Sequence, residues 1–466
     1  EKTIQKAIKV SVEAQERWDR TPLTERACIW SKAADLMAGA YRQSLNAATM
    51  LGQSKSVVQA EIDAACELID FIRFNVHFMK ENSRYQPIST DPSVTKNSLR
   101  FRGIDGFIAA ISPFNFTAIG GNLAYTPALM GNGVIWKPSD TAVLSNWRIF
   151  NIMREAGVPP GVVNFVPAEG PTFGRTITSS PYLSGVNFTG SVPTFNWIWS
   201  AVAQNINNFR NYPRLIGECG GKNYHFIHPT ADVQSVVTST IRSAFEYCGQ
   251  KCSACSRIYV PKSLADNIKQ GLIQEATKLK IGDPADFSVF AAAVIDETAF
   301  NRISTYITNA KSNPKNQILC GGEFDKTTGY FVKPTIIETK DPLDKLITEE
   351  IFGPVLTLYV YDDKDVLKTL SLVGTSTKFA LTGAVFANDM SFLQTALQEL
   401  KTTAGNFIND KSTGSVVGQQ PFGGGRMSGT NDKAGGPNYV MRWASPQSIK
   451  ETFVPLRDVD YPYMRD

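Results

Sequence analysis

The chain is poor in histidine, and this limits the catalytic chemistry available to it. Only His77, His225 and His228 occur among its 466 residues. With so few histidines, a Cys-His or Ser-His dyad is not expected, so the base for any nucleophile has to be a carboxylate or water. His225 and His228 flank an apolar pair before Pro229, which favours packing at a strand end.

Long apolar runs and a charge of one sign are also missing. No stretch approaches the roughly 20 apolar residues of a membrane span, and no signal peptide is expected. The formal net charge is +4 and is not concentrated in any segment. The sequence therefore predicts no basic surface for nucleic acids and no polybasic membrane segment. Hydrophobic content of 42% and charged content of 19% are typical of a globular protein, here with two or three domains.

The cysteines form neither a disulfide framework nor a metal site by their spacing. Seven is an odd number, which favours a reducing compartment. Cys248, Cys252 and Cys255 lie close together, but no second Cys or His pair at ligand spacing accompanies them. No metal is therefore predicted.

Cys252 is the most informative of these residues. It lies between a helical pattern that breaks at Gly249 and a β-type run at 257–260. A thiol on such a connection beside Lys251 can have its pKa lowered and act as a nucleophile. A small buried cysteine without chemistry is the more frequent case on local context alone, so the assignment depends on the rest of the chain.

From Gly106 onward the pattern alternates between strands and helices. This alternation predicts a doubly wound parallel sheet that binds its ligand at the carboxyl ends of the strands. Before it, residues 1–83 carry the periodicity of amphipathic helices, and the segment 84–103 reads as an extended arm that could pair with the tail after Met441. Strands are predicted at 107–111, 133–137, 162–166, 185–189, 257–260, 355–361, 380–386 and 405–408.

The common dinucleotide fingerprint G-x-G-x-x-G is absent. The segment 188–191, Phe-Thr-Gly-Ser, has one glycine where that fingerprint has three. A strand, a tight turn and a helix N-terminus can still present amides to a pyrophosphate. A segment of this kind is more often an ordinary βα turn without a ligand.

Glu218 is a candidate general base. It lies in the glycine-rich, weakly charged segment GECGGKN at 217–223. Desolvation there would raise the pKa of its carboxyl group towards neutrality, which is what a general base requires. A salt-bridged turn residue is the alternative.

Four separated segments together resemble the aldehyde dehydrogenase superfamily over essentially the whole chain. They are ISPFNF at 111–116, GECGGK at 217–222, GQKC at 249–252 and EEIFGP at 349–354. The resemblance implies an α/β fold with a Rossmann-type NAD-binding domain, an α/β catalytic domain and a small β oligomerisation arm. These would be formed by residues 1–83 with 104–225, by 226–425, and by 84–103 with 441–466.

A narrower similarity points to one branch of that superfamily. It is carried by FNFTAIGGN at 114–122, FTGSVPT at 188–194, KSTGS at 411–415 and GQQPFGG at 418–424. This branch oxidises L-glutamate γ-semialdehyde to L-glutamate with NAD in proline breakdown. The resemblance implies NAD as the cofactor, glutamate semialdehyde as the small-molecule substrate, a homodimer or higher homo-oligomer, and a place in the mitochondrial matrix.

The same resemblance assigns roles to individual residues. Cys252 would be the nucleophile, Glu218 the base and Asn115 the side-chain donor of the oxyanion hole. The cofactor would contact Ser112, Lys137, Ser139, Gly190, Ser191, Val192, Pro193, Thr194, Glu350 and Phe352, and the substrate would contact Ser253, Gly414, Ser415 and Phe422.

Two functions of other classes stay open. A thiol amidase could use Glu218, Lys222 and Cys252 without a cofactor, although Lys137 at a strand end and the βα unit at 185–205 argue against it. A catalytically silent structural homologue is the second, and it would have no chemical need for Asn115, Glu218 and Cys252 together.

One segment departs from the family pattern. NFIND at 406–410 is one residue shorter than the usual Asn-Phe-Tyr-Ile-Asn-Asp. A deletion within a strand reverses every later side chain unless a bulge absorbs it. The presentation of Gly414 and Ser415 therefore depends on how the structure accommodates this segment.

Overall fold

The computed structural model describes residues 1–465. Its α-helices are α1 (Lys2–Trp18), α2 (Leu23–Ala38), α3 (Arg42–Gln53), α4 (Val57–Ala60), α5 (Leu68–Ser83), α6 (Thr117–Leu129), α7 (Val143–Ala156), α8 (Gly170–Thr178), α9 (Val192–Gln204), α10 (Val233–Phe245), α11 (Ala265–Lys278), α12 (Glu297–Ser312), α13 (Lys345–Thr348), α14 (Val366–Thr375), α15 (Met390–Glu399) and α16 (Pro437–Met441).

The strands belong to two large sheets and three small ones. They are β1 (Thr95–Arg102), β2 (Phe107–Ile111), β3 (Gly133–Lys137), β4 (Val163–Phe165), β5 (Leu183–Thr189), β6 (Arg214–Glu218), β7 (Asn223–Ile227), β8 (Cys255–Pro261), β9 (Asn316–Cys320), β10 (Phe324–Asp325), β11 (Phe331–Val332), β12 (Thr335–Thr339), β13 (Val355–Tyr361), β14 (Phe379–Ala380), β15 (Thr382–Phe386), β16 (Gly405–Ile408), β17 (Gly425–Arg426) and β18 (Ser445–Thr452).

The first large sheet is parallel, with strand order β4-β3-β2-β5-β6. All five residues of β3 are buried, as are the first four of β2. This is why both strands appear in the sequence as unbroken apolar runs instead of alternating patterns. The strand order reverses between β2 and β5, and in sheets of this type the ligand crevice lies at that point, outside the carboxyl ends. The predicted doubly wound α/β fold is confirmed.

The second large sheet has the order β16-β15-β7-β8-β13-β12-β9. It is parallel except for the antiparallel edge strand β9. The strand predicted at 380–386 is in fact two strands, because β14 leaves this sheet and pairs with β17 while β15 stays between β7 and β16. Leu381 separates them, so that prediction was wrong in its continuity.

The shortened segment is accommodated without a shift of register. β16 pairs with β15 residue by residue from Gly405 to Ile408. The chain then turns at Asn409, which has φ +52° and exchanges two side-chain hydrogen bonds with the backbone of Ala387. The turn therefore follows the strand, and Gly414 and Ser415 still reach the cavity described below.

The extended segment near residue 100 pairs with the tail, as the sequence predicted. β1 and β18 form an antiparallel two-stranded sheet from Thr95 opposite Thr452 to Arg102 opposite Ser445. Most of β18 is exposed.

The helical region at 56–80 contains an irregularity that periodicity did not indicate. Residues Glu61–Glu67 form a π-helix between α4 and α5. Such one-turn insertions re-aim side chains and are frequent at functional sites. Within residues 1–465, no helix is long and apolar enough to cross a membrane.

Candidate active site

The loop that carries Cys252 is held in a conformation that costs backbone energy. After α10 the residues Tyr247, Cys248 and Gly249 all have φ between +51° and +64°. For a residue other than glycine this region costs on the order of 1–3 kcal/mol. A Cβ on Gly249 would lie 2.3 Å from the carbonyl oxygen of Gly353, so only glycine fits. The Tyr247 hydroxyl donates to the Gln53 carbonyl at 2.8 Å and anchors the loop to the N-terminal helices.

The backbone of Cys252 is fixed by the connection between β6 and β7. The amide of Asn223 donates to the carbonyls of Cys252 at 2.7 Å and of Ala254 at 2.9 Å. A Cβ on Gly221 would lie 2.5 Å from the Cys252 carbonyl oxygen. The glycines after Glu218 therefore allow two loops to come into direct contact.

One cavity joins the residues expected for catalysis and substrate binding. It has a volume of about 120 Å³ and opens between the two large sheets. Cys252 and Glu218 both line it, although they come from different strand connections. Its lining includes all four residues predicted for the substrate, namely Ser253, Gly414, Ser415 and Phe422.

The environment of Cys252 is the opposite of what the sequence suggested. Burial, followed by the negative charges of Glu218 and Glu350, raises the pKa of the Cys252 thiol above its ordinary value. Lys251 does not offset this, because its ammonium group is bonded to Glu246 at 2.9 Å. The expectation that Lys251 lowers the pKa of Cys252 was wrong. A thiol with a raised pKa needs a base to accept its proton before it can react as a thiolate.

Glu218 has the environment that a general base requires. Its carboxylate accepts a hydrogen bond from the Gly424 amide at 3.0 Å, and a Cβ at Gly423 or Gly429 would lie within 2.9–3.2 Å of its Oε1. Burial raises the pKa of Glu218 well above 4.5, and this outweighs the opposing Gly424 hydrogen bond and the charge of Lys433. The predicted direction of this pKa shift is confirmed.

Asn115 lies against the same loop. Its side chain is buried and its Nδ2 donates to the carbonyl of Gln250 at 3.0 Å, two residues before Cys252. An amide nitrogen carries a second donor hydrogen. One N–H of the Asn115 amide thus fixes the side chain, and the second can be donated to a bound group.

Most of the predicted cofactor residues lie along the carboxyl edge of the parallel sheet. Ser112 follows β2, Lys137 ends β3, and the segment 190–194 leads from β5 into α9. The Ser191 side chain accepts a hydrogen bond from the amide of Thr194 at 3.3 Å. Lys137 Nζ donates to the Pro138 carbonyl at 2.9 Å, and Ser139 follows it. A helix N-terminus facing the point where strand order reverses fits a dinucleotide.

Glu350 and Phe352 lie in the connection between α13 and β13. Glu350 accepts a hydrogen bond from the Gly221 amide at 2.7 Å, and its carboxylate occupies the space that a Cβ on Gly220 would need. Phe352 has φ +54° and packs edge-to-face against Phe114, with ring centroids 6.0 Å apart. The structure therefore places Glu350 beside the segment after Glu218, where its charge reaches the Cys252 thiol.

Lys222 does not line the Cys252 cavity. It is buried in a separate small cavity with Tyr224 and Arg257, and its Nζ has no hydrogen-bond partner within residues 1–465. Burial and the charge of Arg257 lower the pKa of Lys222 to about 7. This placement removes the Glu-Lys-Cys set that a thiol amidase would need.

Two carboxylates in the cavity have no signal in the sequence. Glu67 ends the π-helix, and Asp432 lies in the loop after β17; both line the cavity with Cys252. Burial, together with the charge of Asp63, raises the pKa of Glu67 to about 8. Only a recognised break in helical periodicity before Glu67 could have indicated that residue.

His225 is a packing residue, as predicted. It is buried in β7, and burial lowers the pKa of its imidazole to about 3. Its Nε2 accepts a hydrogen bond from the Ser412 amide at 3.3 Å, so Nδ1 carries the proton and faces Thr240 Oγ1 at 2.9 Å. The neutral ring holds the start of the loop that presents Gly414 and Ser415.

The comparison with protein families agrees with this geometry. The model described as "Aldehyde dehydrogenase family" matches residues 1–449, and the chain belongs to that family.

Among its relatives is the mitochondrial Delta-1-pyrroline-5-carboxylate dehydrogenase of Mus musculus, 59% identical over 99% of this chain and 82% of the relative. The Homo sapiens protein of the same name is 58% identical over the same shares. Among solved structures, the NAD-bound Delta-pyrroline-5-carboxylate dehydrogenase of Mycobacterium tuberculosis has a TM-score of 0.95 and 45% identity, over 99% of this chain and 85% of that one. The NAD-bound 1-pyrroline-5-carboxylate dehydrogenase from Thermus has a TM-score of 0.89 and 31% identity, over 97% and 86%.

Proposed function

We infer that this protein is an NAD-dependent aldehyde dehydrogenase that oxidises L-glutamate γ-semialdehyde, formed from Δ1-pyrroline-5-carboxylate, to L-glutamate in proline catabolism. The observation that carries this function is one cavity lined by Cys252, Glu218 and the Gly414–Ser415 turn, in a chain 59% identical to a protein of that name. Incubation with NAD and a panel of aldehydes should give NADH fastest with glutamate semialdehyde. Ammonia release without NADH would indicate an amidase, and neither product would indicate a silent homologue.

The proposed chemistry proceeds through a thioester on Cys252. Glu218 or an intervening water takes the thiol proton, and the thiolate attacks the aldehyde carbon to form a tetrahedral oxyanion. The free hydrogen of the Asn115 amide and the Cys252 backbone N–H stabilise that oxyanion, and losing one such donor costs about 2.7–4 kcal/mol of barrier. NAD, when bound, accepts the hydride that leaves the carbon. Glu218 then activates the water that hydrolyses the thioester.

The chain has the groups needed to hold the cofactor. The amides of Ser191 and Val192 at the start of α9 would receive the pyrophosphate, next to Gly190, the fixed ring of Pro193 and Thr194, and near Ser112. The Gly190 and Thr194 amides instead donate to the Glu218 carbonyl and to the Ser191 hydroxyl. Lys137 and Ser139 would contact the adenosine ribose, and Glu350 and Phe352 the other ribose. The positions of these residues in the fold support each of the proposed contacts.

The substrate's charged groups have matching partners in the cavity. Gly414 has φ +87°, and a Cβ there would lie 3.1 Å from Lys411 Nζ. This turn and the Ser415 hydroxyl would donate to the α-carboxylate, while Ser253 and Phe422 line the passage to Cys252. Glu67 would pair with the α-ammonium group, since a bound cation favours the ionised form of a carboxyl with a raised pKa.

Substitution of Ser415 by alanine tests the proposed carboxylate contact. We expect the KM for glutamate semialdehyde to rise at least about 10-fold, because a hydrogen bond to a charged group contributes roughly 1.5–3 kcal/mol. The KM for propanal, which has no carboxylate, should stay within about twofold. Glu67→Gln is the matched variant for the ammonium group and should discriminate between the same two aldehydes. Equal changes for both substrates would argue against carboxylate and ammonium capture.

We propose the division of the chain as 1–83 with 104–225 for NAD binding, 226–425 for catalysis, and the β1–β18 sheet with its flanking segments for oligomerisation. The last part is supported by the exposure of β18. Apolar side chains in and just after this strand are also exposed, including Ile449, Phe453 and Val454. A two-stranded sheet with open edges is ready to pair with another chain. We therefore propose a homodimer or a higher homo-oligomer.

Charge introduced into this arm should dissociate the oligomer. The double substitution Ile449→Asp and Val454→Asp is expected to reduce the mass measured by light scattering to that of one chain at micromolar concentration, because buried unpaired carboxylates are costly. Leu367→Asp, at an equally exposed apolar position on α14, is the control and should leave the mass unchanged. An unaltered mass in the double variant would contradict the arm's proposed role.

A mitochondrial location is supported by the names of the Mus musculus and Homo sapiens relatives. Within the organelle we propose the matrix, where the seven thiols, all free in this structure, would stay reduced.

A further inference from the structure

The proposed role of Glu218 requires that its proton can leave the active site. At each turnover Glu218 takes the Cys252 thiol proton during acylation and must lose it before it can accept a proton from the water that hydrolyses the thioester. Burial raises the pKa of its carboxyl group, which favours retention of the proton. Turnover therefore requires a route from Glu218 to solvent that does not pass through the occupied substrate and cofactor sites.

The segment 429–434 packs directly against Glu218. The Thr430 amide donates to the Gly217 carbonyl at 2.9 Å, and the Gly217 amide donates to Thr430 Oγ1 at 3.1 Å. A Cβ on Gly429 would lie 3.2 Å from Glu218 Oε1. The residues on both sides of Asp432, Asn431 and Lys433, each have φ +57°. Two left-handed non-glycine residues around one carboxylate indicate that its position is held by the surrounding packing at a cost.

Asp432 joins the cavity to the protein exterior. Its carboxylate lines the same cavity as Glu218 and Cys252 and accepts a hydrogen bond from the Thr430 hydroxyl. On the outer side it pairs with Arg442 Nε at 2.8 Å. The side chain of Asp432 is 11% exposed and that of Arg442 is 47% exposed. Its negative charge also contributes to the raised pKa of Glu218.

The other titratable groups around Glu218 are less suited to accept the proton. Lys433 is a cation whose Nζ donates to the carbonyls of Ala404 at 2.7 Å and Gly423 at 3.0 Å. The Tyr439 hydroxyl bonds Asn187 at 3.0 Å, and burial raises its pKa. Glu67 lies on the side where the substrate would bind, and Glu350 is bonded to Gly221 near the cofactor side.

We propose that Asp432 is the acceptor through which the proton on Glu218 leaves the active site. In acylation the Cys252 sulfur bonds to the aldehyde carbon, and Glu218, directly or through a water, takes the thiol proton. That proton passes through water in the cavity to the Asp432 carboxylate and from there to solvent beside Arg442, which leaves Glu218 free to act again. In hydrolysis the water oxygen bonds to the thioester carbon, Glu218 takes one water proton, the C–S bond breaks, and Glu218 returns this proton to the Cys252 thiolate. The second water proton leaves with the product acid, which ionises. Asp432 acts through Glu218 and not on the reacting atoms.

Substitution of Asp432 by asparagine removes the acceptor while keeping the shape of the side chain. We expect NADH to form in a burst of about one per active site, followed by steady turnover reduced about 10-fold or more, less than the roughly 10²–10⁴-fold of a lost general base. KM for both substrates should change by less than twofold. The acid limb of the kcat profile should move to lower pH, because removal of the Asp432 charge lowers the pKa of Glu218.

Rescue by small buffers separates proton transfer from a structural effect. Added formate or imidazole should restore the steady rate of Asp432→Asn in proportion to its concentration, and Asp432→Glu should need no rescue. Arg442→Met breaks the ion pair but keeps the carboxylate, so it should retain turnover without added buffer. Normal turnover in Asp432→Asn, or a loss that buffer does not restore and that Arg442→Met reproduces, would overturn the proposal.

The same assay distinguishes failure of this inference from failure of the proposed role of Glu218. Normal turnover in Glu218→Gln would remove that role and the proton route together, whereas normal turnover in Asp432→Asn alone would remove only the route. If Asp432→Asn has a lowered Tm and gives no burst of NADH, the solvent isotope effect on the steady rate of Asp432→Glu tests the proton route instead. A larger effect of D₂O on its steady rate than on that of the parent enzyme supports the route, and an equal effect contradicts it.

Discussion

Replacement of Cys252 by alanine is expected to abolish NADH formation, with a loss of at least about 10³-fold in kcat, because no other nucleophile can form the thioester. NAD should still bind, since the proposed cofactor contacts come from the edge of the parallel sheet and from Glu350. Titration calorimetry with NAD should give a Kd within about twofold of the parent value, which is a difference below 1 kcal/mol.

The chain offers a matched control for that experiment. Cys320 is also a free, partly buried cysteine, but it lies on the edge strand β9 and its Sγ contacts Thr277. Cys320→Ala should leave kcat unchanged. Steady turnover in Cys252→Ala at the normal rate would remove Cys252 from its proposed role and with it the thioester mechanism.

Replacement of Glu218 by glutamine should separate the two halves of the reaction. Water can still take the thiol proton in this variant, so acylation and hydride transfer should give a burst of NADH close to one per active site. Steady turnover should then fall by roughly 10²–10⁴-fold, the usual contribution of a positioned general base. The acyl-enzyme should accumulate on Cys252 and be visible by mass spectrometry of the quenched protein. The glutamine amide can keep the place of the carboxylate beside Gly424 but cannot accept the proton from water.

The expected pH dependence of deacylation follows from the ionisation of Glu218. Hydrolysis requires Glu218 to be ionised, and burial raises the pKa of its carboxyl above 4.5. In the parent enzyme the deacylation rate should therefore fall as pH decreases through that raised pKa. Glu218→Gln should lack this limb, and its residual rate should rise only with hydroxide concentration.

A carboxylate elsewhere in the molecule provides the control for Glu218→Gln. Glu338 in β12 pairs with Lys269 at 2.7 Å, away from the cavity. Glu338→Gln should keep both the steady rate and the acid limb. A steady rate in Glu218→Gln equal to that of the parent enzyme would contradict its assignment as the base.

Local features of the sequence were sufficient to predict the secondary-structure elements and the environments of some side chains. β2 and β3 are buried on both faces, so their composition alone identifies them. The desolvation of Glu218 was predictable because its neighbouring glycines bring backbone and no charge. The pairing of the arm with the tail was predictable because both segments, 84–103 and the part after Met441, have the pattern of extended chain.

The error about Lys251 shows where local reasoning fails. Sequence adjacency places its ammonium near Cys252, but the side chain turns to Glu246. The charges that reach the thiol belong to Glu218 and Glu350, on other strand connections. The sign of a pKa shift depends on such directions in space, which adjacency along the chain does not provide.

By itself the sequence determined the two α/β regions and the family and predicted a candidate nucleophile and base, since these depend on residue types in runs or at fixed spacing. Only the tertiary structure decided that Glu67 and Asp432 line the cavity of Cys252, that Lys222 lies outside it, and that burial and two carboxylates raise the pKa of the Cys252 thiol. Those properties arise from side chains that the packing of the two sheets brings together. Desolvation and electrostatic energies depend on the distances between these side chains, which the sequence does not contain.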